Sequence, residues 1–323
     1  NPSLPVGNSD RGVGLWAGQV MFGLDNSNQY IDWWHEALPG AGEGFDHEGT
    51  LTSVVLSPAI TIGLSNYWNF TIGQSIGNRT MTWDGDTTTI HHRDEGTDDD
   101  YINAIGGYLG DTKLMLRYLV FNDGQGPGRR LFFGGGFILP SKNTLSSDPF
   151  FLSGDEKTDH RHFALSEGVY KVCSEIQLFK KKMTNPVFMG GTIYVEKALA
   201  ENNYGFKASD IYDLSLTAFS KKIPAINGSL GANIITRHTT KAYWNEFEAP
   251  NSRATVVTVG FGGLWNLAVG GVSLNIQKPF FIKGAFSGIE GELGQRVDVW
   301  QVSLSYRRLL DFVIPWLDPL RGL

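Results

Sequence analysis

One cysteine, Cys173, among 323 residues leaves no disulfide to hold a fold together. Charged side chains are few, at 19%, and a net charge of -6 argues against a nucleic-acid backbone as the main partner. Nowhere do about 18 apolar residues run together, so no transmembrane helix is readable. The opening NPSLPVGNSDRG has neither a basic nor an apolar stretch, which fits a cytosolic chain or a mature form freed of its signal peptide. Catalytic signatures are missing too: GxSxG, HExxH, GxxxxGKS/T and CxxC are all absent, so neither an enzymatic activity nor a cofactor is expected. What the chain has instead is glycine, 40 residues, and aromatics, 12%. With 41% apolar residues it can bury a sizeable core, which excludes disorder.

Helical spacing of apolar residues is scarce before the C-terminal segment, and alternation at period two runs along the rest. In LTSVVLSPAITIGL, Val54, Leu56, Ile60, Ile62 and Leu64 share one face; in YWNFTIGQSIG, Trp68, Phe70, Ile72 and Ile76 do, and the SN between them reads as a hairpin turn. YINAIGGYLG and TKLMLRYLVF are expected to flank a tight GDT turn, the second setting Lys113, Met115, Arg117 and Leu119 opposite Leu114, Leu116, Tyr118 and Val120. GVYKVCSEIQLF sets Lys171, Cys173, Glu175 and Gln177 opposite Tyr170, Val172, Ile176 and Leu178. IYDLSLTAF places Asp213 against Tyr212 and Leu214, INGSLGANII places Asn233 against Ile234, and VWQVSLSY places Gln301 against Trp300, Val302, Leu304 and Tyr306. Weaker segments such as GLWAGQVMFG, RLFFGGGFIL and VFMGGTIYV bring the count to roughly 12–14 strands of about 9–12 residues, the length a tilted membrane-spanning strand needs.

A soluble β-sandwich would carry Lys and Glu on its exposed faces. Here the polar faces are mostly Gly, Ser, Thr, Asn and Gln, and the apolar faces often begin or end in Trp or Tyr. Trp68, Tyr118, Tyr170, Tyr212, Trp300 and Tyr306 are therefore expected at the two membrane interfaces, where amphipathic rings prefer to sit, and Tyr194 joins them on the same pattern. Long and short connections alternate over the first half, where DNSNQYIDWWHEALPGAGEGFDHEG and GNRTMTWDGDTTTIHHRDEGTDDD read as long loops; the second half breaks the parity, as a false strand, a missed strand or an inserted plug would make it.

These features resemble those of bacterial outer-membrane β-barrel proteins. The resemblance covers nearly the whole chain and implies an all-β fold: a transmembrane, antiparallel up-and-down β-barrel of roughly 12–14 strands with long extracellular loops, set in the lipid bilayer and lipopolysaccharide of a bacterial outer membrane. VWQVSLSY resembles the terminal strand of that class, ending in the aromatic Tyr306. Residues 1–306 are thus the expected barrel and 307–323 a short amphipathic C-terminal tail, interrupted by Pro315 and Pro319.

The expected lumen is lined by Lys113, Arg117, Lys171, Glu175, Gln177, Asp213, Gln301 and Arg307, a mixed-charge set suited to a channel or transporter for small polar solutes. The same residues would also suit a filled interior in a structural or assembly barrel that docks a periplasmic or surface protein and passes nothing. A third reading is a secreted carbohydrate-binding sandwich, with Trp33, Trp34, Trp83 and Trp244 as ligand platforms. His160 and His162, two apart on an extended segment, point the same way and offer a metal pair; His91 and His92 lie beside an acidic run. Cys173 has no histidine near it in the pattern and reads as inert, and the GGGF of Gly134–Phe137 reads as a place where a neighbour approaches closely.

Overall fold

Alternating segments become strands that pair with their sequence neighbours, and the sheet they build has no edge. The computed structural model describes residues 14–36, 45–84, 94–123, 127–150, 160–250, 252–287 and 294–318. In chain order the strands are β1 Gln19–His35, β2 His47–Gly63, β3 Trp68–Trp83, β4 Leu109–Asn122, β5 Gly128–Leu139, β6 Lys171–Lys181, β7 Phe188–Ala198, β8 Phe206–Lys207, β9 Ile211–Phe219, β10 Ser229–Thr239, β11 Tyr243–Trp244, β12 Phe247–Glu248, β13 Ala254–Leu267, β14 Gly270–Lys283 and β15 Gln295–Val313. Two-residue strands β8, β11 and β12 make a small separate sheet; the other twelve close into one antiparallel barrel, with β1 paired to β15 through Gln29↔Gln301 and Tyr30↔Trp300. Among the described residues no helix is long and apolar enough to cross a membrane.

The parity that failed on paper holds in space. Segments 64–67, 123–127, 182–187, 220–228 and 268–269 are short and share one end; segments 36–46, 84–108, 140–170, 199–210, 240–253 and 284–294 are longer and share the other. One false strand accounts for the difference. YINAIGGYLG is not a strand: Tyr101 and Ala104 make an isolated bridge to one another, Ala104 makes a second to Leu145 of the β5–β6 connection, and Gly110, Asp111 and Thr112 lie inside β4 rather than at a turn. Conversely, DNSNQYIDWWH is no loop but the greater part of β1, held on both sides by full ladders to β2 and β15 although its composition is polar.

The last strand also runs past its expected aromatic end. β15 continues beyond Tyr306, pairing Arg307 with Gly23, Arg308 with Phe22 and Leu309 with Met21, because β1 reaches as far on that side. What remains of the tail is a turn around 315–317 tied by Ile314 N–H to Gly18 O at 2.8 Å; residues 319–323, with Pro319, lie outside the described residues.

Polarity is reversed relative to a soluble domain. Leu56, Ile60, Ile72, Leu116, Ile176, Leu216, Ile234, Phe261, Ile276 and Leu304 are exposed on the outer wall, while Ser27, Thr71, Arg117, Glu175, Gln177, Thr258, Gln277 and Gln301 are buried inside. This overturns the sandwich reading, since a sandwich core is apolar. Its proposed platforms disperse accordingly: Trp33 and Trp83 stack at 6.3 Å across the long-loop ends of their strands, Trp34 is the next residue of β1, and Trp244 is buried.

Near the middle of β10, Ile234 stands on the outer wall opposite Leu216 and Val259. Arginine there would have to sit in hydrocarbon. Ile234→Arg is expected to lower stability by about 2–4 kcal/mol in urea unfolding from lipid vesicles; a change near zero would mean that this face meets water.

Candidate functional site

The interior at mid-height is built around a missing side chain. On the inner face of β5, Gly134 is the ladder partner of both Arg117 on β4 and Glu175 on β6. A Cβ at that position would stand 2.7 Å from Glu175 Cγ and 3.3 Å from Arg117 Cγ, so glycine alone lets the two long side chains meet across it. There Arg117 Nε donates to Glu175 Oε1, both side chains being almost fully buried. Arg117 Nη1 also donates to Thr71 Oγ1 at 3.2 Å, and Gln177 Nε2 donates to Glu175 Oε1 at 2.9 Å.

Across the barrel the inner wall carries an uncharged chain of amides and hydroxyls. Gln29 Nε2 donates to Gln301 Oε1 (3.1 Å), Gln301 Nε2 to Ser303 Oγ (2.9 Å), Ser303 Oγ to Gln277 Oε1 (3.1 Å) and Gln277 Nε2 to Asn233 Oδ1 (3.3 Å). Gln177 and Gln301 have no exposed surface. The polar interior is therefore packed and hydrogen-bonded at this level, as low-dielectric burial demands.

Toward the long-loop end lies a cavity of about 480 Å³, lined among others by Arg79, Lys113, Lys171, Glu196, Asp213 and Arg237. Lys171 Nζ pairs with Glu196 Oε1 at 2.6 Å and also with Glu167; Tyr194 O–H donates to Glu196 Oε2 at 2.9 Å, and Lys113 Nζ sits 4.2 Å from the Tyr194 ring centre. Arg237 grips Asp213 with two bonds of 2.7 and 2.6 Å, a planar fork on a carboxylate. The loops roof this space. Arg79 Nη1 donates to Ala164 O at 2.7 Å, docking the β5–β6 connection on the inner wall of β3, and the small sheet buries Trp244 against Phe206, Ala242 and Ala249.

Of the eight residues expected along the lumen, Arg117, Glu175, Gln177 and Gln301 belong to the packed layer, and Lys113, Lys171 and Asp213 line the cavity. Arg307 stands apart, near the short-turn end, opposite Gly271 and Gly23. Pattern reading missed Glu196 and Arg237. Both continue the inward alternation of strands that were ended too early, after Val195 and Ile235; the signal was one or two further residues of the same period. Tyr194 corrects a reading: it faces the interior and is buried, not placed at an interface.

The remaining aromatics fall in two groups. Trp68 and Tyr118, 4.8 Å apart between ring centres, lie at the short-turn end with Tyr306, whose O–H donates to Val269 O at 2.6 Å; Tyr170 and Tyr212 lie where β6 and β9 leave the long loops, and Trp300 stands on the long-loop half of β15 opposite Tyr30. His160 and His162 are brought together in the β5–β6 connection, with Nε2 atoms 3.1 Å apart. His91 and His92 lie outside the described residues. Cys173 is buried beside Met115 and Tyr194.

Removing one member of a buried ion pair leaves the other uncompensated, at a cost of about 3–5 kcal/mol. Arg117→Met alone and Glu175→Gln alone are each expected to lower the urea midpoint markedly, and the double variant to recover most of the loss. Equal additive losses in the double-mutant cycle would show that the pair is not coupled.

No protein-family model matches the chain, and no curated protein matches it in sequence. Among solved structures it is similar to an outer membrane channel from Pseudomonas putida F1, at 13% identity and a TM-score of 0.63, covering 94% of this chain and 100% of that one. Looser likenesses are to a Pseudomonas aeruginosa FadL homologue (9% identity, TM-score 0.44, 94% and 98% covered) and to the P. putida toluene transporter TodX (10%, 0.40, 90% and 90%). Closed antiparallel topology, an apolar outer wall and the first of these likenesses agree: the chain has the fold of the bacterial outer-membrane β-barrels.

Proposed function

We propose that the protein is an outer-membrane channel or transporter that takes small polar solutes, zwitterions included, through a mixed-charge interior. The cavity carries this reading. At about 480 Å³ it has the size of a small-molecule site, and its walls present both signs of charge in fixed pairs. Arg237 Nη1 is buried with no hydrogen-bond partner among the described residues, so this guanidinium keeps one donor for an incoming anionic group while two others hold Asp213. Lys113 and Glu196 supply the opposing charges around Tyr194. On this reading Arg307 lines the exit at the short-turn end. Trp68, Tyr118 and Tyr306 mark one lipid interface; Tyr170, Tyr212 and Trp300 mark the other, where lipopolysaccharide would surround the long loops.

A second reading rests on the packed polar layer. Gln177 and Gln301, fully buried, favour a filled barrel that anchors or docks a periplasmic or surface protein without passing solute. One experiment separates the two. Pure protein in planar bilayers, together with flux of small amino and carboxylic acids into liposomes, is expected to give channel events and uptake. Arg237→Lys, which keeps the charge but loses the fork, is expected to cut carboxylate uptake several-fold while neutral solutes pass as before. Absence of both events and flux would end the transport reading in favour of the scaffold, which co-purification of a partner would then support.

A further inference from the structure

Residues 160–162 belong to the β5–β6 connection at the long-loop end, and there the rings of His160 and His162 meet. Arg161 is engaged elsewhere: its guanidinium bonds to the carbonyl oxygens of Gly96 and Asp99 and lies 5.5 Å from the Tyr101 ring centre. Its backbone is clamped by Asn103, which accepts from Arg161 N at 2.8 Å and donates to Arg161 O at 3.0 Å. The histidines on either side are thereby held in place. Their ring centres are 4.5 Å apart, with Nε2 facing Nε2 at 3.1 Å, and His160 is almost fully buried.

Glu95 completes the arrangement from a different loop. It is fixed against Met81 of β3 by two backbone hydrogen bonds, and its side chain is fully buried. One carboxylate oxygen accepts a hydrogen bond from His162 Nδ1–H at 3.0 Å; the other accepts the His162 backbone N–H at 3.3 Å. A carboxylate on Nδ1 sets the tautomer, with the proton on Nδ1 and the lone pair of Nε2 directed at His160. Metal-binding histidines carry this kind of outer carboxylate, which orients the ring and raises its basicity. Two nitrogens at normal bond length from a tetrahedral ion stand roughly 3.3 Å apart, close to the spacing found here. His162 also lines the cavity, so further coordination positions would open onto a space that small molecules can share. Among the described residues no group of three or more histidine, cysteine or acidic side chains could hold an ion, so the described residues supply two nitrogens at this site.

We propose that His160 and His162 are a two-nitrogen site for a divalent transition metal of the kind imidazole favours, Cu²⁺ or Zn²⁺, with Glu95 as the positioning residue. A bound ion would fasten the β5–β6 connection to the β3–β4 connection through Glu95. The proposal does not depend on solute passage.

The test uses the full chain in detergent with Cu²⁺ alone and Zn²⁺ alone. Electron paramagnetic resonance is expected to show one Cu²⁺ per chain with hyperfine splitting from two nitrogens. His160→Ala and His162→Ala should each remove one nitrogen from the pattern, and Glu95→Gln should weaken Zn²⁺ binding about 10–100-fold while leaving both nitrogens in the Cu²⁺ spectrum. Heat-modifiable migration on gels verifies that each variant is folded; should an alanine variant fail this check, His160→Gln and His162→Gln replace it. Unchanged binding in a folded variant that combines His160→Ala with His162→Ala, or no binding by the unaltered chain at millimolar metal, would overturn the assignment.

Discussion

Everything in this molecule depends on the pairing of β1 with β15. Hydrocarbon offers no hydrogen-bond partner to a peptide group, so a sheet can cross it only if its first and last strands satisfy one another. That requirement explains why β1 remains a strand through Asp25–Gln29, a stretch whose composition favours turns. Each of its residues has a ladder partner on β2 and another on β15, and the gain from pairing on both sides outweighs local preference. Asn26 and Asn28, on the outer side of that strand, settle their amides on one another at 2.5 Å.

Closure also decides where the charges go. With lipid outside, apolar side chains gain nothing by turning inward, and the inside becomes the place for Arg117, Glu175, Lys171 and Asp213. They are not scattered there. A packed layer of ion pair, amides and hydroxyls occupies mid-height, and a paired but looser set surrounds the cavity above it. The loops then cover the cavity with side chains that a soluble protein would use as core, such as Trp244 and Phe163.

Much of this was legible from period and composition. Wherever one face was cleanly apolar, as along β6, β9 and β15, both the strand and its inward residues could be read, because the two-residue repeat assigns each side chain to a face. Legibility failed where pairing rather than patterning makes the strand. β1 looked like a loop because asparagine and aspartate disfavour strands in isolation. YINAIGGYLG looked like a strand because its tyrosines and isoleucines favour strands and nothing in the sequence says that Ile102 and Ile105 stand in a loop, exposed. Tyr194 was misplaced for a related reason: a tyrosine at the edge of a membrane and one bonded to an internal carboxylate look alike in sequence, and only Glu196, two residues on, distinguishes them.

The glycine at position 134 has one more consequence, which concerns alignment. Neighbouring strands can in principle slide past one another, and a shift by one residue would turn every side chain of β5 to the opposite face. A shift by two keeps the faces but replaces the glycine: in one direction by Gly136, in the other by Phe132, whose ring would occupy the space where Arg117 and Glu175 meet. The guanidinium and carboxylate therefore act as a bolt passed over β5, one that closes only when the strand beneath presents no side chain. This single contact therefore excludes the slip that brings Phe132 beneath the pair, while a slip that brings Gly136 there would leave it closed.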